Sequence, residues 1–409
     1  MPDTALRRRA VLGASLAAGL APLAGAREAW TQAGRPVRIG VLNDQSGPYA
    51  DLAGPGSALA VRMAAADAGG AGLSRPVEVL VGDHQNKPDV GLGILREWFA
   101  TGRVDAAIDM SNSAISLGAQ SLATQYDKLI VHVSSTTSEL AGKGCGPRGV
   151  QWAQNTYADA YGLARGLLRA GKTSYYFVTV DYAFGHAVEA DMAAAVRAGG
   201  GAVAGSVRHP LNTGDFAGFL ANARASGAEV VVLANSGADF ITAVKQAGEF
   251  GISRRQTLAA PIVYLTDVHA LGLAAAQGLQ FVQSWYWDAD EPSRAWARRF
   301  FAERRRMPTD LQAGAYSAAA HFLRAVQRAG TAEAGPVLDA MRAAPVEGFY
   351  APGGRIEANN KLVFDLLLTR VKTPEESRQP WDYLEVLSRI PGGEAFRPAA
   401  ESGCPLVKA

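Results

Sequence analysis

Two stretches of the chain, about 140 residues apart, share one plan. VLND, ending at Asp44, runs through a glycine- and proline-rich turn into an alanine-rich segment closing on ADAGG at Gly70, and VEVLVGD follows. VTVD, ending at Asp181, runs through YAFG into a segment closing on VRAGG at Gly200, and AVAGSV follows. Both read as strand, turn, helix, Gly-Gly, strand, and paired glycines suit a left-handed helix stop. A helix between two strands returns the chain to the same edge, so the strands pair in parallel. Two such units predict an α/β chain of two similar doubly wound lobes, not one long sheet. The wider pattern agrees. Apolar runs at 37–42, 77–82, 104–109, 129–133, 174–180, 202–207, 229–234, 258–264 and 279–285 predict strands. Helical periodicity fills 55–68, 88–101, 113–127, 156–170, 185–199, 215–226, 238–250 and 268–276 between them.

Residues 1–26 stand apart. MPDTALRRRAVLGASLAAGLAPLAGA has a cationic start, a small apolar run and Ala24-Gly25-Ala26, the pattern of an export signal cleaved near Ala26. Arg8-Arg9-Ala10-Val11-Leu12 has the two arginines, spacer and apolar pair of a twin-arginine signal, with Sec routing as the alternative. The chain has 40 basic and 38 acidic residues, and the signal's three arginines and one aspartate account for the excess. Near-neutrality argues against nucleic acid as a partner. The two cysteines, Cys145 and Cys404, lie in glycine/proline loops without metal or redox spacing. In an oxidising compartment one disulfide between them is the economical reading, with two free thiols as the alternative.

Ligands of open α/β sheets bind beyond the carboxyl ends of the strands. The strand-end loops are 43–51 (NDQSGPYAD), 109–114 (DMSNSA), 133–139 (VSSTTSE) and 180–185 (VDYAFG). They are rich in hydroxyls and amides and hold no lysine or arginine. SGPYADLAGPG lacks the G-x-G-x-x-G spacing of a dinucleotide turn, Gly91-Leu92-Gly93 falls inside a helical stretch, and no GK[ST] is present. Ser236 in ANSGA lacks the first glycine of G-x-S-x-G. The six histidines show no ligand spacing, and His269 near Asp267 is the one retained as a candidate. These patterns predict no catalytic residue, no metal and no cofactor. Trp285, Tyr286 and Trp287 in QSWYWDAD either pack the core or wall the cleft.

VRIGVLNDQSGPYADLAGPG, SNSAISLGAQ, VSSTTSEL, DYAFG, VKQAGEFG and AYSAAAHFLRAVQRAG follow one another over about residues 36–370. In that order they resemble the periplasmic solute-binding proteins of branched-chain amino acid type ABC importers. The resemblance implies two Rossmann-like lobes joined by three crossovers, with 36–154 and 286–348 in lobe one, 155–285 and 349–390 in lobe two, and 391–409 as a tail returning to lobe one. It implies a monomeric periplasmic protein that closes on a small polar ligand, an amino acid or related carboxylate, aromatic acids included, and delivers it to an inner-membrane permease. A ligand-sensing regulator on the same fold and an exported amidase or dehydrogenase are the alternatives. By the same resemblance, Asn112, Ser113, Ala114, Ser135 and Thr136 hold the ligand carboxylate and Tyr182 or Phe184 supplies an aromatic wall, while the glycine-rich turn after the first strand, mirrored by the repeat at VTVDYAFG, brings Tyr49 to the lip of the cleft. Asp267, or else Asp181, pairs with a ligand ammonium, and Asn235 completes the set.

Overall fold

The computed structural model describes residues 34–407 apart from 71, 253 and 254. The segment 1–26 and its boundary at Ala26 lie outside the described residues. A first sheet contains β1 (Val37–Asn43), β2 (Val77–Asp83), β3 (Ala106–Asp109), β4 (Leu129–His132) and β5 (Gly149–Gln151), all parallel, in the order β2-β1-β3-β4-β5. A second parallel sheet orders β6 (Ser174–Val180), β7 (Ala202–His209), β8 (Val230–Ala234) and β9 (Thr257–Ala259) as β7-β6-β8-β9. Each sheet begins with one copy of the repeat and its strand β1 or β6 lies inside it.

Burial on both faces explains the apolar runs. Ile39 and Val41 of β1 pack with α1 (Gly54–Gly70), while Leu42 packs on the other face with Leu95 and Trp98 of α2 (Pro88–Ala100). Five further helices lie between the strands. They are α3 (Ser113–Tyr126), α4 (Thr156–Arg169), α5 (Ala183–Ala198), α6 (Ala217–Ala225) and α7 (Gly237–Glu249). The expected strand 258–264 stops at Ala259, because Pro261 has no N–H to continue a ladder. The expected helix 268–276 begins earlier and is broken at Gly272, giving α8 (Leu265–Leu271) and α9 (Leu273–Ala276).

The chain crosses between the lobes three times, after β5, after β10 (Gln280–Gln283) and between β12 (Leu362–Val363) and β13 (Leu366–Val371). β13 lies between β10 and β14 (Leu384–Ile390) in an antiparallel sheet. Between the second and third crossings, α10 (Glu291–Arg304), α11 (Asp310–Ala329) and α12 (Ala334–Ala343) return to the first lobe, where α11 packs along α1. The two-residue strands β11 (Arg355–Ile356) and β12 fall inside the stretch expected in lobe two, yet this stretch bonds to the first lobe. Gln151 N–H donates to Asn360 O at 2.9 Å. Asn359 Nδ2 donates to Ala141 O at 3.1 Å, and Asn360 Nδ2 donates to Gly146 O at 2.9 Å.

Polar side chains tie the crossings together. Asp310 Oδ2 accepts from Gln154 Nε2 at 2.8 Å and from Ser284 N–H at 3.2 Å. Lys361, buried, donates from Nζ to Ala153 O at 2.5 Å and Leu362 O at 2.8 Å. Cys145 and Cys404 form a disulfide across 259 residues of chain, pinning the tail to the first lobe.

Candidate functional site

The loop after β1 is shaped by Asp44. Its buried carboxylate accepts from Gly47 N–H at 2.8 Å and Tyr49 N–H at 2.9 Å, wrapping SGPY around itself. A Cβ on Gly47 would stand 2.5 Å from Asp44 Oδ1, so the turn requires glycine there. Burial raises the Asp44 carboxyl, and the bonds from Tyr49 and Gly47 pull it back. The turn delivers Tyr49 to the cleft, where its hydroxyl meets that of Tyr182, from the loop after β6, at 2.7 Å. On the same side of the contact, Gly237 begins α7 with φ of 61°, and a Cβ there would lie 2.9 Å from Pro48 O. The two lips therefore touch.

Behind this bond lies a pocket whose interior leaves about 20 Å³ for the centres of water molecules, room for one or two. The first lobe contributes Leu52, Ser111, Ser113, Ser134 and Thr136, besides Tyr49. The second contributes Tyr182, Phe184, Ser236 and Tyr264. Among the described residues no charged side chain lines it. Four helices start at its wall, at Ser113, Ala183, Gly237 and Leu265. The helices at Ala183 and Gly237 begin without a side-chain cap, so their first N–H groups remain for a ligand. Among the described residues, Ser236 Oγ is buried without a hydrogen-bond partner. The arrangement is suited to holding an anion by neutral donors.

The sequence candidates divide here. Tyr49, Ser113, Thr136, Tyr182 and Phe184 line the pocket together. Asn112 lies at the mouth of α3 but turns inward: its Oδ1 caps Ile115 N–H at 3.0 Å and its Nδ2 donates to Asn86 Oδ1 at 2.6 Å. Ala114 is half-buried beside Ser113 and outside the lining. Ser135 is buried behind the wall, its Oγ without a partner. Asn235 is buried with its Nδ2 3.1 Å from His209 Nε2. Asp267 sits on the third residue of α8, where its Oδ2 accepts from Tyr264 N–H at 2.9 Å and caps its own helix. Asp181 is exposed, 2.9 Å from His186 Nε2 and 3.3 Å from Arg208 Nη1. His269 stacks on Trp381 with ring centroids 4.0 Å apart, outside the lining.

Trp285, Tyr286 and Trp287 resolve as packing. Trp285 Nε1 donates to Ser293 Oγ at 2.8 Å, and Trp287 Nε1 donates to Trp381 O at 3.0 Å. Sequence reasoning missed Leu52, Ser111, Ser134 and Tyr264 and considered Ser236 only as a nucleophile. Ser111 and Ser134 lie in the very loops DMSNSA and VSSTTSE; the signal was there, one position off.

Among known proteins, the periplasmic binding protein family matches residues 36–378. A periplasmic binding protein from Burkholderia mallei is 41% identical, with 91% of this chain and 99% of that chain covered and a TM-score of 0.89. A branched-chain amino acid ABC transporter periplasmic ligand-binding protein from Burkholderia xenovorans is 36% identical over 90% of this chain and 99% of that one, with a TM-score of 0.80. A solute-binding protein of an ABC transporter from Rhodopseudomonas palustris, solved with 3,4-dihydroxybenzoic acid, shares the fold at 17% identity, covering 87% and 98% of the two chains with a TM-score of 0.77. No curated protein sequence matches. Two parallel-sheet lobes on a three-strand hinge, a hydroxyl-lined pocket at their strand ends and near-complete alignment with these proteins lead to one conclusion: the chain belongs to the periplasmic binding protein family, in its ABC-transporter substrate-binding branch.

Proposed function

We propose that the protein captures a small organic carboxylate between its lobes and presents it, closed, to an inner-membrane permease, without chemical turnover. The observation that carries this is the convergence of two uncapped helix N-termini, at Ala183 and Gly237, on a pocket of hydroxyls that, among the described residues, no charged side chain lines. Partial positive charge at those helix ends and aligned N–H groups favour an anion without a lysine or arginine. Ser113 and Thr136 from the first lobe hold the carboxylate, and Tyr182 and Phe184 cover it from the second. The relative from Rhodopseudomonas palustris that holds 3,4-dihydroxybenzoic acid supports an aromatic acid as within reach of the fold. In this reading residues 1–26 direct export and are removed near Ala26, the twin-arginine pattern favours the Tat route, and the mature protein works as a periplasmic monomer. Lobe one holds 36–154 and 286–363, lobe two 155–285 and 364–390, with the tail returned to lobe one by the disulfide.

The test is calorimetric titration of the purified protein with a panel of amino acids, aliphatic acids and aromatic acids. An acid is expected to bind, and Thr136→Ala to weaken it by about 1–2 kcal/mol through one lost hydrogen bond. Binding confined to neutral or cationic ligands would remove the carboxylate reading, and an unchanged affinity in Thr136→Ala would remove that residue from the site.

A further inference from the structure

Ser111 lies two residues beyond the end of β3 and Ser134 two residues beyond the end of the adjacent β4. Paired strands lie about 5 Å apart, which brings both loops to one region of the pocket. Both line the pocket. Their hydroxyls have opposite hydrogen-bonding roles, imposed from behind.

Ser111 is held as a donor. Asp44 N–H donates to its Oγ at 3.1 Å. Asn86 N–H donates to His84 Nδ1 at 3.0 Å, so the neutral imidazole carries its proton on Nε2, which lies 3.3 Å from Ser111 Oγ and donates to it. Burial keeps that imidazole neutral, lowering its pKa to about 4. Both lone pairs of Ser111 are taken, and its own proton is left for the pocket.

Ser134 is held as an acceptor. Its Oγ donates to Asp109 Oδ1, which also accepts Ser134 N–H at 3.1 Å. Asp109 Oδ2 accepts from Asn43 Nδ2 at 2.7 Å. The orientation of that amide is fixed, because Nδ2 also donates to Gly54 O at 3.0 Å and Gln45 Nε2 donates to Asn43 Oδ1. With its proton committed to Asp109, Ser134 offers only lone pairs to the pocket.

We infer that the ligand is a 2-hydroxy acid, its carboxylate accepting from Ser111 and its adjacent hydroxyl donating to Ser134. The inference rests on the carboxylate reading above and narrows it. An unsubstituted acid leaves the Ser134 lone pairs unpaired in a closed pocket, at a desolvation cost. An α-amino acid supplies a donor but brings a full positive charge. Among the described residues no Asp or Glu lines the pocket to meet that charge, Asp267 is engaged by Tyr264 N–H, and Asp109 already accepts three bonds.

Two matched probe sets test this by calorimetry on the intact protein: lactate, alanine and propionate, and mandelate, phenylglycine and phenylacetate. Within the set that fits, the hydroxy acid is expected to bind at least about tenfold more tightly than either partner. Ser134→Ala should bring the hydroxy acid down to the unsubstituted acid and leave the latter unchanged, while Ser134→Thr keeps the preference. Ser111→Ala should weaken both acids by a similar factor, about tenfold, and preserve their ranking. Tighter binding of the amino acid, or equal binding of hydroxy and unsubstituted acids, overturns the inference and leaves the carboxylate reading standing. Failure of every acid in both sets to bind, where the wider panel yields an amine or neutral ligand, overturns the two together. The wild-type ranking needs no variant, so a misfolded substitution does not shelter the claim.

Discussion

Asp267 carries a charge that its surroundings oppose. Burial pushes its pKa up to about 7, against the lowering effect of the Tyr264 N–H bond, with Asp51 and Asp310 adding repulsion. An unfolded aspartate titrates near about 3.9. Between those values the folded chain holds a proton that the unfolded chain has lost, so this group's contribution to stability falls as pH rises from about 4 to about 7. Burial raises Asp239 and Asp310 to about 6 and gives them the same sign. Asp267→Asn keeps an acceptor for Tyr264 N–H and removes the titration. Denaturant unfolding at pH 5, 6, 7 and 8 should show a smaller loss of stability with rising pH than in the parent, and an identical pH dependence would refute the assignment. Acid affinity should change by less than about threefold, because the carboxylate faces its own helix. The same residue shows what was legible at this scale. A sequence places hydroxyls in a loop, but which of two adjacent residues faces the pocket depends on where the helix begins. Asn112 is drawn off as the cap of α3, leaving Ser111 and Ser113 on the wall, and Ser134 and Thr136 flank the inward Ser135 in the same alternating way.

At the scale of elements, strands buried on both faces announce themselves as apolar runs, and β1, β3, β4, β6 and β8 were readable for that reason. β14 was not, because most of its residues are exposed and no alternation marks a buried face. β11 and β12, two residues each, are too short for any periodicity and exist because the crossing segment is held by Lys361 and its neighbours. Burial lowers the Lys361 ammonium well below its ordinary range, yet its position is fixed by two backbone carbonyls and by the Phe396 ring, 4.3 Å from Nζ. Ala153 belongs to the first crossing and Leu362 to β12, which leads into the third, so one side chain ties together the approaches to two of the three crossings. Lys361→Met preserves most of the apolar stem and strips the donor from both carbonyls. It should cost about 1–3 kcal/mol of stability for each carbonyl left unpaired. Equilibrium unfolding in urea measures this, and a midpoint equal to that of the parent would show that the carbonyls find other partners.

For the whole molecule, the small pocket and the touching lips describe a closed arrangement with little free interior. A ligand larger than a few atoms must enter with the lobes apart, and it holds them together only by contacts that the open form lacks. The Tyr49–Tyr182 bond favours closure whether or not a ligand is present, and therefore sets how much of the ligand's binding energy is left to show as affinity. Tyr182→Phe keeps the aromatic wall and removes the hydroxyl that reaches Tyr49. The closed population should fall, with a larger radius of gyration by X-ray scattering in the absence of ligand and a return to the parent value at saturation. Apparent affinity should drop by about five- to tenfold, corresponding to one hydrogen bond. Most of that drop should lie in faster dissociation, since the open form that ligand meets first is unchanged. Gly237→Ala acts on the same contact from the same lobe as Tyr182. Its Cβ would press on Pro48 O at 2.9 Å from a left-handed backbone, so closure should be impeded even at saturation. A Tyr182→Phe protein as compact as the parent, with unaltered dissociation, would mean that the lips meet without governing the hinge.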